Sequence, residues 1–185
     1  MAIKRLNDPG DAKKLTALLH QAYAADVALG IHFGAATIEE ATVAGHIKTK
    51  PTFVIEENGD FVATVSVRLP WADNPGPFAL PHLGWVATNP RYQHQGRAKH
   101  LINWVIENYI QKELQAPAVS LGTALEHPWL SKAYEKLGFQ KVDVVRKFPD
   151  HQTLYLVKTL DEKQVKQVQD NYLQAVLAKN IINVD

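Results

Sequence analysis

The sequence predicts an α+β protein: a mixed, mostly antiparallel central sheet with helices on both faces, followed by an extra C-terminal helix. Three observations predict it. Alternating or β-branched runs bounded by turn residues recur at 53–55, 61–67, 82–88, 117–125, 139–148 and 153–160. Between several of them lie segments whose apolar residues return every three or four positions, most clearly 96–110. The strand–helix–strand order from about 82 to 124 demands a parallel crossover, which makes those two strands neighbours.

Each element follows from its own residues. Residues 3–6 alternate briefly as a short edge strand. Asp8 then stands as N-cap with Pro9 at the first helical position, and Leu15, Leu18, Leu19, Ala22 and Tyr23 carry a helix to about Val27. A second helix covers 38–46. Phe53-Val54-Ile55 runs into Asn58-Gly59, the strongest short hairpin signal. In the returning strand Ala63, Val65, Val67 and Leu69 share one face, and Thr64, Ser66 and Arg68 the other. Pro75, Gly76, Pro77 and Pro81 make 71–81 an irregular loop. The strand 82–88 is stopped by Asn89-Pro90. Ala98, Leu101, Ile102, Val105, Ile106, Tyr109 and Ile110 form one apolar stripe along a helix over 96–110. A helix over 128–137 is stopped by Gly138. Residues 161–179 carry Val165, Val168, Tyr172, Ala175, Val176 and Ala178 at roughly helical spacing and lie past the completed sheet. The expected organisation is therefore one domain over 1–160 and a helical extension, an appendage to it, over 161–185.

Composition narrows the function. The chain has 185 residues, 46% hydrophobic and 21% charged, enough for one core without covalent staples. Lys and Arg number 20 against 19 Asp and Glu, a balance that argues against a polyanion such as nucleic acid as partner. Cysteine is absent, which excludes disulfides, thiolate metal sites and a cysteine-bound acyl intermediate. No apolar run reaches the ~20 residues of a membrane span. The opening Met1-Ala2-Ile3-Lys4-Arg5-Leu6 lacks the apolar stretch of a signal peptide. A cytoplasmic location, with no membrane partner, is the expectation.

The most informative segment runs from Val86 to Lys99. A strand ends, a short turn with one glycine follows, and a long amphipathic helix begins. The first N–H groups of a helix have no internal partner, and its dipole adds partial positive charge there. A diphosphate fits that position. Gly96 and Ala98 leave the backbone approachable, and Arg91, Arg97 and Lys99 add full charges. The turn lacks the Gly-Lys-Ser/Thr of a P-loop and the three glycines of a dinucleotide fingerprint. An ordinary strand-to-helix connection with solvated basic residues is the plain alternative.

Gln93-His94-Gln95-Gly96-Arg97-Ala98 resembles the Gln/Arg-x-x-Gly-x-Gly/Ala signature of the GNAT superfamily of acyl-CoA-dependent N-acetyltransferases. Val86-Ala87-Thr88-Asn89-Pro90-Arg91-Tyr92 is similar to the strand ending that precedes it. Ala133-Tyr134-Glu135-Lys136-Leu137-Gly138-Phe139, after His127-Pro128, is similar to a late element of the same family. The resemblance covers about residues 2–160.

It implies acetyl-CoA as co-substrate and no metal. Amides of Gln93, His94, Gln95, Gly96, Arg97 and Ala98, with Lys99 beside them, would hold the CoA diphosphate. Val86, Ala87 and Thr88 would pair with the pantetheine arm and supply an N–H to the thioester oxygen. His127 stands where the family often has an asparagine that touches this arm. Tyr134 aligns with the tyrosine that protonates the departing thiolate; by periodicity alone it reads as a core aromatic with Leu130, Ala133 and Leu137. A general base must take a proton from the acceptor ammonium. His82 is one candidate, placed by alternation on the face of Gly84, Val86 and Thr88 unless a bulge intervenes. Glu126 is the other. His94 and His100 do not share a helical face in metal-site spacing, which argues against a metal.

The expected acceptor is a primary amine of a small molecule or peptide. Its pocket is expected from 23–37, the loop 71–81 and the residues after the strand 117–125. A non-catalytic acyl-CoA-binding sensor or interaction module of the same fold is the alternative. Homodimerisation through the last strands or the added helix is a further expectation.

Overall fold

The computed structural model describes residues 2–179; Met1 and residues 180–185, the end of the expected extension, lie outside the described residues. The chain divides into two compact units. One comprises Met1–Val67 and Gly84–Val105, the other Arg68–Leu83 and Ile106–Asp185.

The first unit begins with β1 (Ala2–Leu6) and a 3₁₀ turn at Pro9–Asp11. Asp8 Oδ1 accepts the Gly10 amide at 2.8 Å, so the expected cap is in place and leads into α1 (Ala12–Ala28). Ala12, Leu15, Leu18 and Leu19 bury the apolar stripe of α1. The second helix, α2, spans Glu40–Thr49, two residues later than its sequence pattern suggests. β2 (Thr52–Glu57) and β3 (Asp60–Arg68) form the expected hairpin. Asn58 and Gly59 have φ of 53° and 85°, as a type I′ turn requires at both central positions. The unit's strand order is β1-β2-β3-β4, with β4 spanning His82–Thr88. β1–β2 and β2–β3 are antiparallel. Its core gathers Leu6, Leu15, Leu19, Val43, Ile47, Val54 and Phe61, with Trp85 packed against it. Next in the chain are a 3₁₀ turn at Pro90–Tyr92 and α3 (Arg97–Val105).

The second unit takes the first residues of β4 and orders its strands β4-β5-β7-β6. These are β5 (Ala118–Ala124), β6 (Gln140–Val145) and β7 (Thr153–Thr159). His82 pairs with Ser120 and Leu83 with Leu121 in parallel, the neighbour relationship that the crossover demands. β5–β7 and β6–β7 are antiparallel. A short helix, α4 (Pro128–Glu135), ends at Gly138, whose φ of 88° lets the chain turn back.

Two expectations are corrected. The helix over 96–110 stops being α-helical at Val105, and Ile106–Gln111 is π-helical. Leu114 N–H reaches back five residues to the Tyr109 carbonyl at 2.9 Å. The apolar residues recur on both sides of the change, so periodicity does not register the wider turn. The single helix over 161–179 is two helices, α5 (Glu162–Val165) and α6 (Asn171–Ala178). Asp161 and Asp170 each accept amides of a first turn, so a second N-cap restarts the helix. Val165, Leu173 and Val176 are buried in this unit's core with Phe78, Leu80, Val142 and Tyr155.

Candidate active site

In the first unit, the strand–turn–helix is fixed by hydrogen bonds to β3 and within the turn. Asn89 N–H donates to the Val62 carbonyl at 2.9 Å, and Asn89 Oδ1 accepts the Arg91 amide at 3.0 Å. Gln95 Nε2 donates to the Arg91 carbonyl at 3.2 Å. His94 and Gly96 have φ of 61° and 75°, with Gln95 of ordinary sign between them. Residues of alternating hand turn successive N–H groups towards one side, a concavity suited to an anion. The turn is not plugged: Gln93 to Gly96 are exposed, and nothing lies within 4 Å of the place a Cβ on Gly96 would take. The residues therefore fit the CoA diphosphate.

Side chains around the turn play different parts. The Arg97 guanidinium turns to Glu57, with Nε 3.0 Å from Oε1 and a second nitrogen 3.4 Å from Oε2. What Arg97 offers an anion is thus its amide. Lys99 is exposed. Thr88 Oγ1 is buried and has no hydrogen-bond partner among the described residues, a polar atom that a ligand can satisfy. The Val86 carbonyl receives the Tyr23 hydroxyl at 3.4 Å. Trp85 has φ of 47°, and its ring stacks on His46 at 3.5 Å. A left-handed residue inside β4 breaks the alternation, so the facing argument from His82 towards Thr88 does not hold past Trp85.

The second unit holds His82, Glu126, His127 and Tyr134. His82 is 4% exposed, and its Nδ1 lies 2.9 Å from Ser120 Oγ. Gly76 lies so close that a Cβ there would stand 2.5 Å from the His82 Cβ. Burial, then the charges of Arg68 and Lys147, lower the His82 pKa to about 3, so the ring is neutral. Glu126 is exposed, and its carboxylate accepts the Gln152 amide at 3.0 Å, anchoring the turn after β5. His127 is buried, with its ring stacked on Trp129 at 4.6 Å. Tyr134 is half-buried, edge-on to Phe139 at 6.1 Å. Ala133 is exposed, and Leu130 and Leu137 are only partly covered. That is not the burial of a core stripe.

Val86 to Thr88 and Gln93 to Lys99 thus come together in one strand–turn–helix of the first unit. Glu126, His127 and Tyr134 follow β5 in the second, and His82 pairs with Ser120 there. Sequence reasoning missed Ser120 as the partner of His82 and Glu57 as the partner of Arg97, since no local pattern marks a contact between residues distant in sequence.

Fold and turn define a class: a mixed-sheet protein whose strand–turn–helix carries an open turn with main-chain amides of a geometry suited to an anion. The chain belongs to the acetyltransferase (GNAT) family, whose model matches residues 20–139. It is 36% identical over 156 residues to S-(2-succino)cysteine N-acetyltransferase of Bacillus subtilis (strain 168), spanning 84% of this chain and 94% of the relative. It is 32% identical over 139 residues to S-alkylcysteine N-acetyltransferase of the same organism, spanning 75% and 78%. The crystal structure of the Escherichia coli ribosomal-protein-S18-alanine N-acetyltransferase shares the fold at TM-score 0.68 and 19% identity, over 86% of this chain and 94% of that one. So does yncA from Salmonella typhimurium with its cofactor acetyl-CoA, at 0.67 and 17%, over 88% and 95%. The resemblance read from Gln93–Ala98 and Ala133–Phe139 is borne out, and the protein is a GNAT-type N-acetyltransferase. Among the described residues no helix is long and apolar enough to cross a membrane.

Proposed function

We propose that this protein transfers the acetyl group of acetyl-CoA to the α-amine of an S-substituted cysteine. The observation that carries acetyl transfer is the open, left-handed turn at His94 and Gly96 that heads α3. The acceptor class is supported by two relatives, each named for acetylating a cysteine S-derivative.

The thioester supplies an activated acetyl group. Amides of Gln93 to Ala98 hold its diphosphate, and a main-chain N–H near Val86 to Thr88 polarises the carbonyl. The amine attacks directly: a C–N bond forms, the C–S bond breaks, and no cysteine is present to carry the acetyl group. Tyr134 gives its phenolic proton to the departing sulfur. The exposed Glu126 carboxylate takes the amine proton through water, its contact with the Gln152 amide leaving lone pairs for that purpose. His82, neutral to about pH 3 and hydrogen-bonded to Ser120, is too weak a base for an ammonium and acts by shape.

The test is thiol release from acetyl-CoA with S-methyl-L-cysteine and S-(2-succino)cysteine, with the acetylated product read by mass. Release with these and not with lysine peptides or polyamines is expected. Turnover of other amines alone would overturn the acceptor class.

A further inference from the structure

Arg68 ends β3 and opens the second unit. It is half-buried. Among the described residues its guanidinium meets no carboxylate; its hydrogen bond is a long one, 3.5 Å, to Asn74 Oδ1 in the following loop. A cation withdrawn from water without an anion is costly, and one neutral amide does not offset that cost. His82 is buried, and its Nδ1 is engaged by Ser120. The Tyr155 ring lies edge-on to His82 at 6.2 Å. The charge of Arg68 acts on both rings, and Lys147 adds a second positive charge at His82. Asp143, the acid that acts on Tyr155, accepts the Tyr172 hydroxyl. Arg68 and Lys147 thus act on neutral rings, and the acid that acts on Tyr155 is already engaged by the Tyr172 hydroxyl.

Resting on the acceptor class proposed above, the geometry points to Arg68 as the anchor for the acceptor's carboxylate. A guanidinium offers two parallel N–H groups that match the two oxygens of a carboxylate, a fit that an ammonium lacks. An α-amino acid brings such a carboxylate next to its amine. A simple amine does not, and leaves Arg68 unpaired. Arg68 is then what separates amino-acid acceptors from their decarboxylated counterparts.

The test compares S-methyl-L-cysteine with S-methylcysteamine, the same amine without the carboxylate, in wild type, Arg68→Gln and Arg68→Lys, after thermal melts establish the fold of each. Wild type is expected to favour the carboxylate-bearing amine. Arg68→Gln is expected to raise its KM by about 10- to 100-fold, the range of a charge-assisted hydrogen bond, with the KM for acetyl-CoA unchanged. Equal preference in wild type and Arg68→Gln overturns the anchor and leaves the proposed acceptor class standing. Should Arg68→Gln fail to fold, Arg68→Lys keeps the charge, loses the fork, and should still raise that KM about tenfold; an unchanged KM overturns the proposal. If wild type acetylates some other amine instead, succinate serves as a carboxylate probe. Competition with that amine in wild type, weakened at least about tenfold in Arg68→Gln, supports the anchor. No competition, or equal competition in both proteins, overturns it.

Discussion

Asp170 uses both carboxylate oxygens: Oδ1 accepts the Leu173 amide at 2.9 Å and caps α6, while Oδ2 accepts the Ala79 amide at 2.5 Å. One residue of the C-terminal segment therefore starts a helix and holds the loop between β3 and β4. Phe78 in that loop packs against the Tyr155 and Tyr172 rings at 5.8 and 5.0 Å. The segment past the sheet is a support for the loop that begins at Arg68.

Removing that support should be measurable. Asp170→Ala loses an N-cap, worth about 1 kcal/mol, and leaves the Ala79 amide without its partner. A total loss of about 2 kcal/mol in urea unfolding is expected. Asp170→Asn keeps an oxygen for the cap and should recover roughly half of it. If both variants unfold like wild type, the bond to Ala79 contributes nothing.

Tyr134→Phe tests the proton donor. The phenol acts only as the C–S bond breaks, so kcat should fall by about 10²- to 10⁴-fold, with the KM for acetyl-CoA little changed. An unaltered kcat removes Tyr134 from the chemistry.

Gly96 tests the cradle. Its φ of 75° disfavours any side chain, although the space around it is open. Gly96→Ala should cost about 1–2 kcal/mol of strain or else flatten the turn. A raised KM or Kd for acetyl-CoA is expected, with acceptor binding spared. Calorimetry with CoA that reads the same in both proteins would place the diphosphate elsewhere.

His82 should make the fold acid-sensitive. The unfolded chain takes up this proton near pH 6.5, whereas the folded ring resists it to about pH 3. Between those values the unfolded state binds more protons, so stability falls as pH falls, by about 1.4 kcal/mol per pH unit from this group. Urea unfolding at pH 6.5 and pH 5 should differ by about 1.6 kcal/mol more in wild type than in His82→Gln, since the unfolded ring is half protonated at pH 6.5. Parallel slopes in the two proteins would mean that the ring is protonated in the folded state.

The local signals that survived folding are those whose cause is local. Asp8, Asn58-Gly59 and Gly138 specify caps and turns through their own backbone preferences, and each does so here. The stripe Leu101, Ile102 and Val105 is buried as its spacing requires. The same kind of pattern misleads at Ile106–Gln111, where apolar spacing continues through a wider turn. Between 161 and 179 a caps-first reading of Asp161 and Asp170 finds the break that periodicity hides.

From its residues alone this chain declared a mixed α+β fold, a family and an anion-binding turn, because spacing, caps and turn chemistry act over a few residues. Only the folded chain paired His82 with Ser120, turned Arg97 towards Glu57 and, among the described residues, left Arg68 without a carboxylate. Such pairings join residues dozens of positions apart, or turn on the absence of a partner, and burial decides their worth. Burial is a property of the packed molecule that no stretch of sequence carries by itself.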